Sequence, residues 1–97
     1  MHVGISKIII RIPESQSLKG KRRIVKSLID RIKNQFNVSV CEIENQEKWQ
    51  IATLGIASIN SDSQYLNRTL NKILEFIIEN TRDCELLDHK QEIISGV

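Results

Sequence analysis

The apolar residues Leu18, Ile24, Val25, Leu28, Ile29, Ile32 and Phe36 recur at steps of three and four, a spacing that gathers them on one side of a helix. The pattern predicts a helix over 17–36, with Ser17 as its N-cap. It should stop near Phe36 and Asn37, since Asn tolerates the left-handed backbone that closes helices. A second stripe, Tyr65, Leu66, Leu70, Ile73, Leu74, Ile77 and Ile78, runs to about Asn80. It follows Ser61 and Gln64, which have the spacing of a capping box.

The remaining apolar segments alternate. Residues 3–12 are rich in β-branched side chains and end at Pro13, which has no N–H to continue a ladder. Ile8, Ile10 and Ile12 fall on one side of this strand and Ile5, Lys7, Ile9 and Arg11 on the other. One face therefore packs on helices and the other is mixed and partly wet. A polar link over 14–17 leads into the first helix. Residues 38–44 and 49–58, separated by the polar turn 45–48, read as an antiparallel hairpin. Residues 83–94 lack a helical stripe, end in β-branched residues and read as a fourth strand. The order βαββαβ is the split βαβ pattern of an α+β, ferredoxin-like domain. It places two helices on one face of a four-stranded antiparallel sheet and leaves the other face open.

Ninety-seven residues suit one domain with a single core. Apolar residues at 40%, charged residues at 27%, one Pro and four Gly describe an ordered globular chain rather than a disordered one. His2, Lys7 and Arg11 interrupt the first apolar run and no small-residue cleavage site follows, so it reads as a strand and not a signal. No stretch approaches the roughly 20 apolar residues of a membrane span, and the expected location is the cytoplasm. Cys41 and Cys84 are too few and too far apart for a disulfide framework or a four-ligand zinc site. Both are expected as reduced thiols on apolar sides.

Charge changes the picture. Residues 1–40 carry nine Lys or Arg against two acids, and residues 41–97 carry five against ten. Turning each helical residue by about 100° gathers Lys19, Arg22, Arg23, Lys26 and Lys33 on the face opposite the apolar stripe, in a sector roughly 100° wide that only Asp30 dilutes. Lys21 points along the apolar stripe instead and is expected to snorkel off the edge of the core. Lys19, Lys21, Arg22 and Arg23 also crowd the N-terminal turns, where the macrodipole favours acids, at about 0.3–1 kcal/mol per charge. A polyanion would relieve this misfit. The bland alternatives are a solvated helix face, or mutual satisfaction of the basic and acidic halves within or between copies.

Candidate chemistry is sparse. His2 lies at the N-terminus and His89 between Asp88 and Lys90, and both read as surface residues. The four glycines are scattered, so no phosphate loop is present. Glu42 and Glu44 are same-side strand neighbours, a weak basis for a divalent cation, and no cofactor is expected. Trp49 either plugs an edge of the core, its commoner use at the mouth of a hairpin, or stands out as an anchor for a partner chain. Base stacking on the open sheet face would need aromatics on the central strands. Ile9, Arg11, Thr53 and Ala57 stand there instead.

The ordered set Ser17-Leu18-Lys19-x-Lys21-Arg22, Val25-Lys26-Ser27-Leu28, Phe36-Asn37-Val38-Ser39-Val40, Trp49-Gln50, Leu54-Gly55 and Leu87-Asp88-His89 resembles the YlxP-like family of small bacterial proteins, a domain of unknown function. The resemblance covers nearly the whole chain. It implies a ferredoxin-like fold, a cytosolic bacterial setting and genomic association with translation-initiation and ribosome-maturation genes, and it brings no catalytic residues or cofactor. Gln16 and Asn45 stand where the family often has His, and Gly20 where it often has Glu. The expectation is a non-enzymatic module that binds RNA or the ribosome, with Lys19, Lys21, Arg22, Arg23, Lys26 and Lys33 as phosphate contacts. The alternative is a protein-interaction module that forms a homodimer through the open face around Ile5, Ile9, Thr53 and Ala57, with Trp49 as a further partner-binding residue.

Overall fold

Alternation along the first strand decides the layering. In a computed structural model that describes every residue except Glu14 and Thr81, β1 (His2–Arg11) turns Gly4, Ser6, Ile8 and Ile10 inward, all of them buried. It is followed by α1 (Leu18–Gln35), β2 (Ser39–Glu44), β3 (Ile51–Asn60), α2 (Ser63–Asn80) and β4 (Glu85–Ser95). The sheet order is β2-β3-β1-β4, and every pairing is antiparallel. This is the expected ferredoxin-like architecture. Val25, Leu28 and Ile32 of α1 and Leu70, Ile73 and Ile77 of α2 close over Ile8, Ile10, Leu54 and Ile56 of the sheet. Each such side chain contributes roughly 1.5–3 kcal/mol through burial. Phe36 meets Phe76 edge to face at 6.1 Å where the two helices adjoin.

Several boundaries differ from expectation for local reasons. The link expected at 14–17 is described from Ser15 onward, Glu14 lying outside the described residues. Asn37 does not close α1 in a left-handed conformation. The cap is Phe36, in extended backbone with φ −129°, and its N–H donates to the Ile32 carbonyl. The cap of α2 is Asp62 rather than Ser61, since its Oδ1 accepts from the N–H groups of Gln64 and Tyr65. β3 begins two residues late. Gln50 ties down the preceding loop instead, its Nε2 donating to the carbonyls of Pro13 and Ser15.

Two register shifts break the period of two. Glu42 pairs with Leu54, and the next partner of β3 is Glu44, opposite Thr53. Ile43 is the extra residue of a bulge and leans over Gly55, where a Cβ would stand 2.8 Å from Ile43 Cγ2. A side chain at position 55 would have to displace it. The bulge also separates the two glutamates. Glu44 reaches Lys7 on the open face at 3.0 Å, whereas Glu42 stays under the helices, so the expected same-side carboxylate pair does not exist. In β4, Leu87 is skipped between Asp88, opposite Ile9, and Leu86, opposite Ile10. The edge strands β2 and β4 are therefore both bulged.

Candidate nucleic-acid interface

The start of α1 is built by its own sequence. Ser17, at φ −156°, accepts the Gly20 N–H on its Oγ at 3.0 Å, and no acid occupies the first turn. From there the helical period sends Lys19, Arg22, Arg23, Lys26 and Lys33 to the surface, all exposed. Lys26 bonds Asp30 one turn on, at 3.1 Å. Among the described residues Lys19, Arg22, Arg23 and Lys33 form no ion pair within 4 Å. The other acids that pair among the described residues are occupied elsewhere, with Glu44 on Lys7, Glu85 on Arg11 and Glu42 on Lys21. Apart from Lys26, the strip thus reaches solvent without an ion-pair partner among the described residues, over roughly 21 Å of helix.

Lys21 is not part of it. Contrary to its expected role as a phosphate contact, its side chain is 0% exposed and does not snorkel out. Four residues before Val25 on the same stripe, it lies beneath the helix. Its Nζ stands 2.8 Å from Glu42 Oε2 and donates to the Asn45 carbonyl at 2.5 Å. The Glu42 contact is electrostatic rather than a directed hydrogen bond, and that oxygen has no hydrogen-bond partner among the described residues. Asn45 takes the left-handed conformation, φ 64°, which Asn adopts more readily than most residues. Its Nδ2 donates to Thr53 Oγ1 at 2.8 Å. The lysine therefore pins the start of the cationic helix to the β2–β3 turn, as a positioning group for the strip.

The other expected sites are distributed differently. Ile5 and Ile9 lie half-buried on the open face as expected, with Ala57 beside them, but Thr53 is fully buried. Trp49 is 57% exposed and does not plug the core. Cys41 is exposed on β2 rather than on an apolar side. Arg31 stacks over the Phe76 ring, 5.4 Å from its centroid. Sequence reasoning missed Arg68 and Lys72, which line a cavity of about 290 Å³ together with the half-exposed Tyr65. The signal was present as two cations one turn apart on the helix, within a segment read only for its apolar stripe.

Cys84 borders a cavity of about 230 Å³ between α1 and the segment before β4. Burial, reinforced by Asp83 and opposed by Arg31, pushes its thiol up from 9.0 to about 11. Thiolate is the reactive form, so the exposed Cys41 should be alkylated at pH 8 well ahead of Cys84, whose thiolate fraction is cut about 100-fold and only partly offset by greater nucleophilicity. Mass spectrometry of a timed iodoacetamide reaction checks this, and equal rates would refute it. No helix is long and apolar enough to cross a membrane among the described residues.

A family model described as "Protein of unknown function (DUF503)" matches residues 3–91. The chain belongs to this family. The Uncharacterized protein YlxP of Bacillus subtilis (strain 168) is 36% identical over 75 residues, which span 77% of this chain and 82% of that protein. The YlxP-like resemblance read from the motifs is therefore correct. Two solved structures share the fold. The de novo designed protein LFR1 1 with ferredoxin fold is 14% identical, with a TM-score of 0.51 over 100% of this chain and 88% of its own. A dimeric ferredoxin-like protein from an uncultured marine organism is 9% identical, with a TM-score of 0.50 over 98% and 96%.

Proposed function

We propose that this DUF503 protein is a non-enzymatic binding module for structured RNA, including RNA of the ribosome, held through phosphate contacts to the outward face of α1. The observation that carries the reading is the unneutralised strip. Lys19, Arg22, Arg23 and Lys33 remain free of ion pairs among the described residues although the chain carries 12 acids. The positive N-terminal end of the helix macrodipole adds to the same field. Contacts of this kind are weakly sequence-selective, because phosphates carry no base identity. Binding should weaken linearly in log–log form as salt rises, with a slope of roughly −4 to −5 for five phosphate contacts. Filter retention of an RNA hairpin across a salt series measures that slope, and affinity indifferent to salt would sink the proposal.

A second reading rests on the open sheet face. Ile5 and Ile9 are half-buried there, Ile43 and Ile94 are exposed, and the surrounding charges include both signs, Lys7 on Glu44 and Arg11 on Glu85. A face of mixed charge suits a second copy of the chain, whereas the α1 strip would repel its own copy. A protein that shares the fold is described as dimeric. Sedimentation velocity should show a concentration-dependent dimer, reduced to monomer by Ile94→Lys. A strictly monomeric wild-type chain at high concentration would remove this reading.

A further inference from the structure

We infer that the cavity where α1 ends and α2 begins takes an unpaired nucleotide of the RNA whose phosphates lie along α1, an inference that rests on the function proposed above. The cavity, about 290 Å³, carries Tyr65, Arg68 and Lys72 from α2 and the amides of Gln35, Asn37 and Asn60. It shares Asn37, Ser58 and Ile59 with a wider cleft of about 590 Å³ that contains Lys33. Lys33 belongs to the α1 strip as well, so the strip and the concave region meet at one lysine. Among the described residues no Asp or Glu lines either space. The nearest acid in sequence, Asp62, is turned to the backbone of α2, where it caps the N–H groups of Gln64 and Tyr65.

The two parts of this surface offer different chemistry. The strip is a convex row of cations and engages phosphates only. The cavity adds an aromatic ring beside cations, with side-chain amides that both donate and accept hydrogen bonds. A splayed-out base needs that combination, since it stacks on a ring while its edge pairs with polar groups and its phosphate meets a cation. Tyr65 occupies an apolar-stripe position by spacing, yet the residue is 48% exposed and outside the core. A duplex buries its bases in the stack and cannot use this ring. The occupant is therefore a single-stranded extension, loop or bulge next to a stem.

The test compares two RNAs by fluorescence anisotropy at fixed salt, a blunt hairpin and the same hairpin with a short single-stranded 3′ extension. Wild type should bind the extended RNA roughly 5- to 150-fold tighter, the range given by one stacked base. Tyr65→Ala should abolish that preference and leave affinity for the blunt hairpin unchanged, while Tyr65→Phe should keep it. Arg68→Glu with Lys72→Glu should also remove it. Equal affinity of the wild type for the two RNAs would overturn this inference and leave the RNA-binding proposal standing, as would a Tyr65→Ala loss shared equally by both. Failure of the wild type to bind either RNA would overturn both.

Discussion

Lys21→Ala is expected to lower the free energy of unfolding by roughly 3–5 kcal/mol, the cost of breaking a buried ion pair by removing one partner. The side chain is wholly enclosed and Glu42 is only 15% exposed. Truncation strands a carboxylate under the helices, frees the Asn45 carbonyl and leaves a cavity. Against a typical total of about 5–15 kcal/mol, that is a large fraction. Urea denaturation measures it. The companion variant separates charge from shape: Lys21→Met with Glu42→Leu removes both charges, keeps most of the volume, and should recover most of the loss. A Lys21→Ala cost below about 1 kcal/mol would place the pair among solvated surface contacts, which are worth no more than that. Lys21 would then return to the cationic strip.

Charge reversal at Arg22 and Arg23 should separate binding from folding. Removing two phosphate contacts should reduce the magnitude of the salt slope by about two. Placing two repelling carboxylates there should lower RNA affinity at low salt roughly 100-fold. Stability should move the other way. Both positions lie in the second turn of α1, where the macrodipole has largely faded, and a glutamate at 22 gains Lys26 as an i,i+4 partner worth about 0.2–0.5 kcal/mol. A variant that melts at the same or a higher temperature and no longer retains RNA is the expected result. Unchanged retention would count decisively against the proposed interface.

The fold was legible because it is written in periods. The stripe from Leu18 to Phe36 and the β-branched run before Pro13 depend on nothing beyond their own neighbours, so they survived folding with small boundary shifts. The bulge at Ile43 was not legible. Residues 38–44 alternate well enough to read as a strand, but the shift of apolar parity between Val40 and Ile43 gains its meaning only when β2 meets β3 with Ile43 pressed over Gly55. Lys21 was half legible. Its angle placed it correctly on the apolar stripe, but counting it among the cations assigned it to a surface it does not reach. Its partner Glu42 is supplied by a strand 21 residues further on, which no local pattern announces. Trp49 had two roles open to it, and it stays exposed beside Gln50, whose side chain is tied to the Pro13 and Ser15 carbonyls. At α2, Ser61 and Asp62 are both capping residue types, and the backbone geometry chose the acid.

The bulged margins of the sheet constrain how copies of this protein meet. A flat rim of unpaired amides and carbonyls invites another chain to continue the ladder, and natural sheets blunt such rims with kinks and charges. β2 is only six residues long and breaks at Ile43, while β4 kinks at Leu87 and carries Asp88, Lys90 and Glu92 in alternation. Sideways growth into ribbons or fibrils is discouraged on both flanks, and edge-to-edge pairing of two molecules is disfavoured with it.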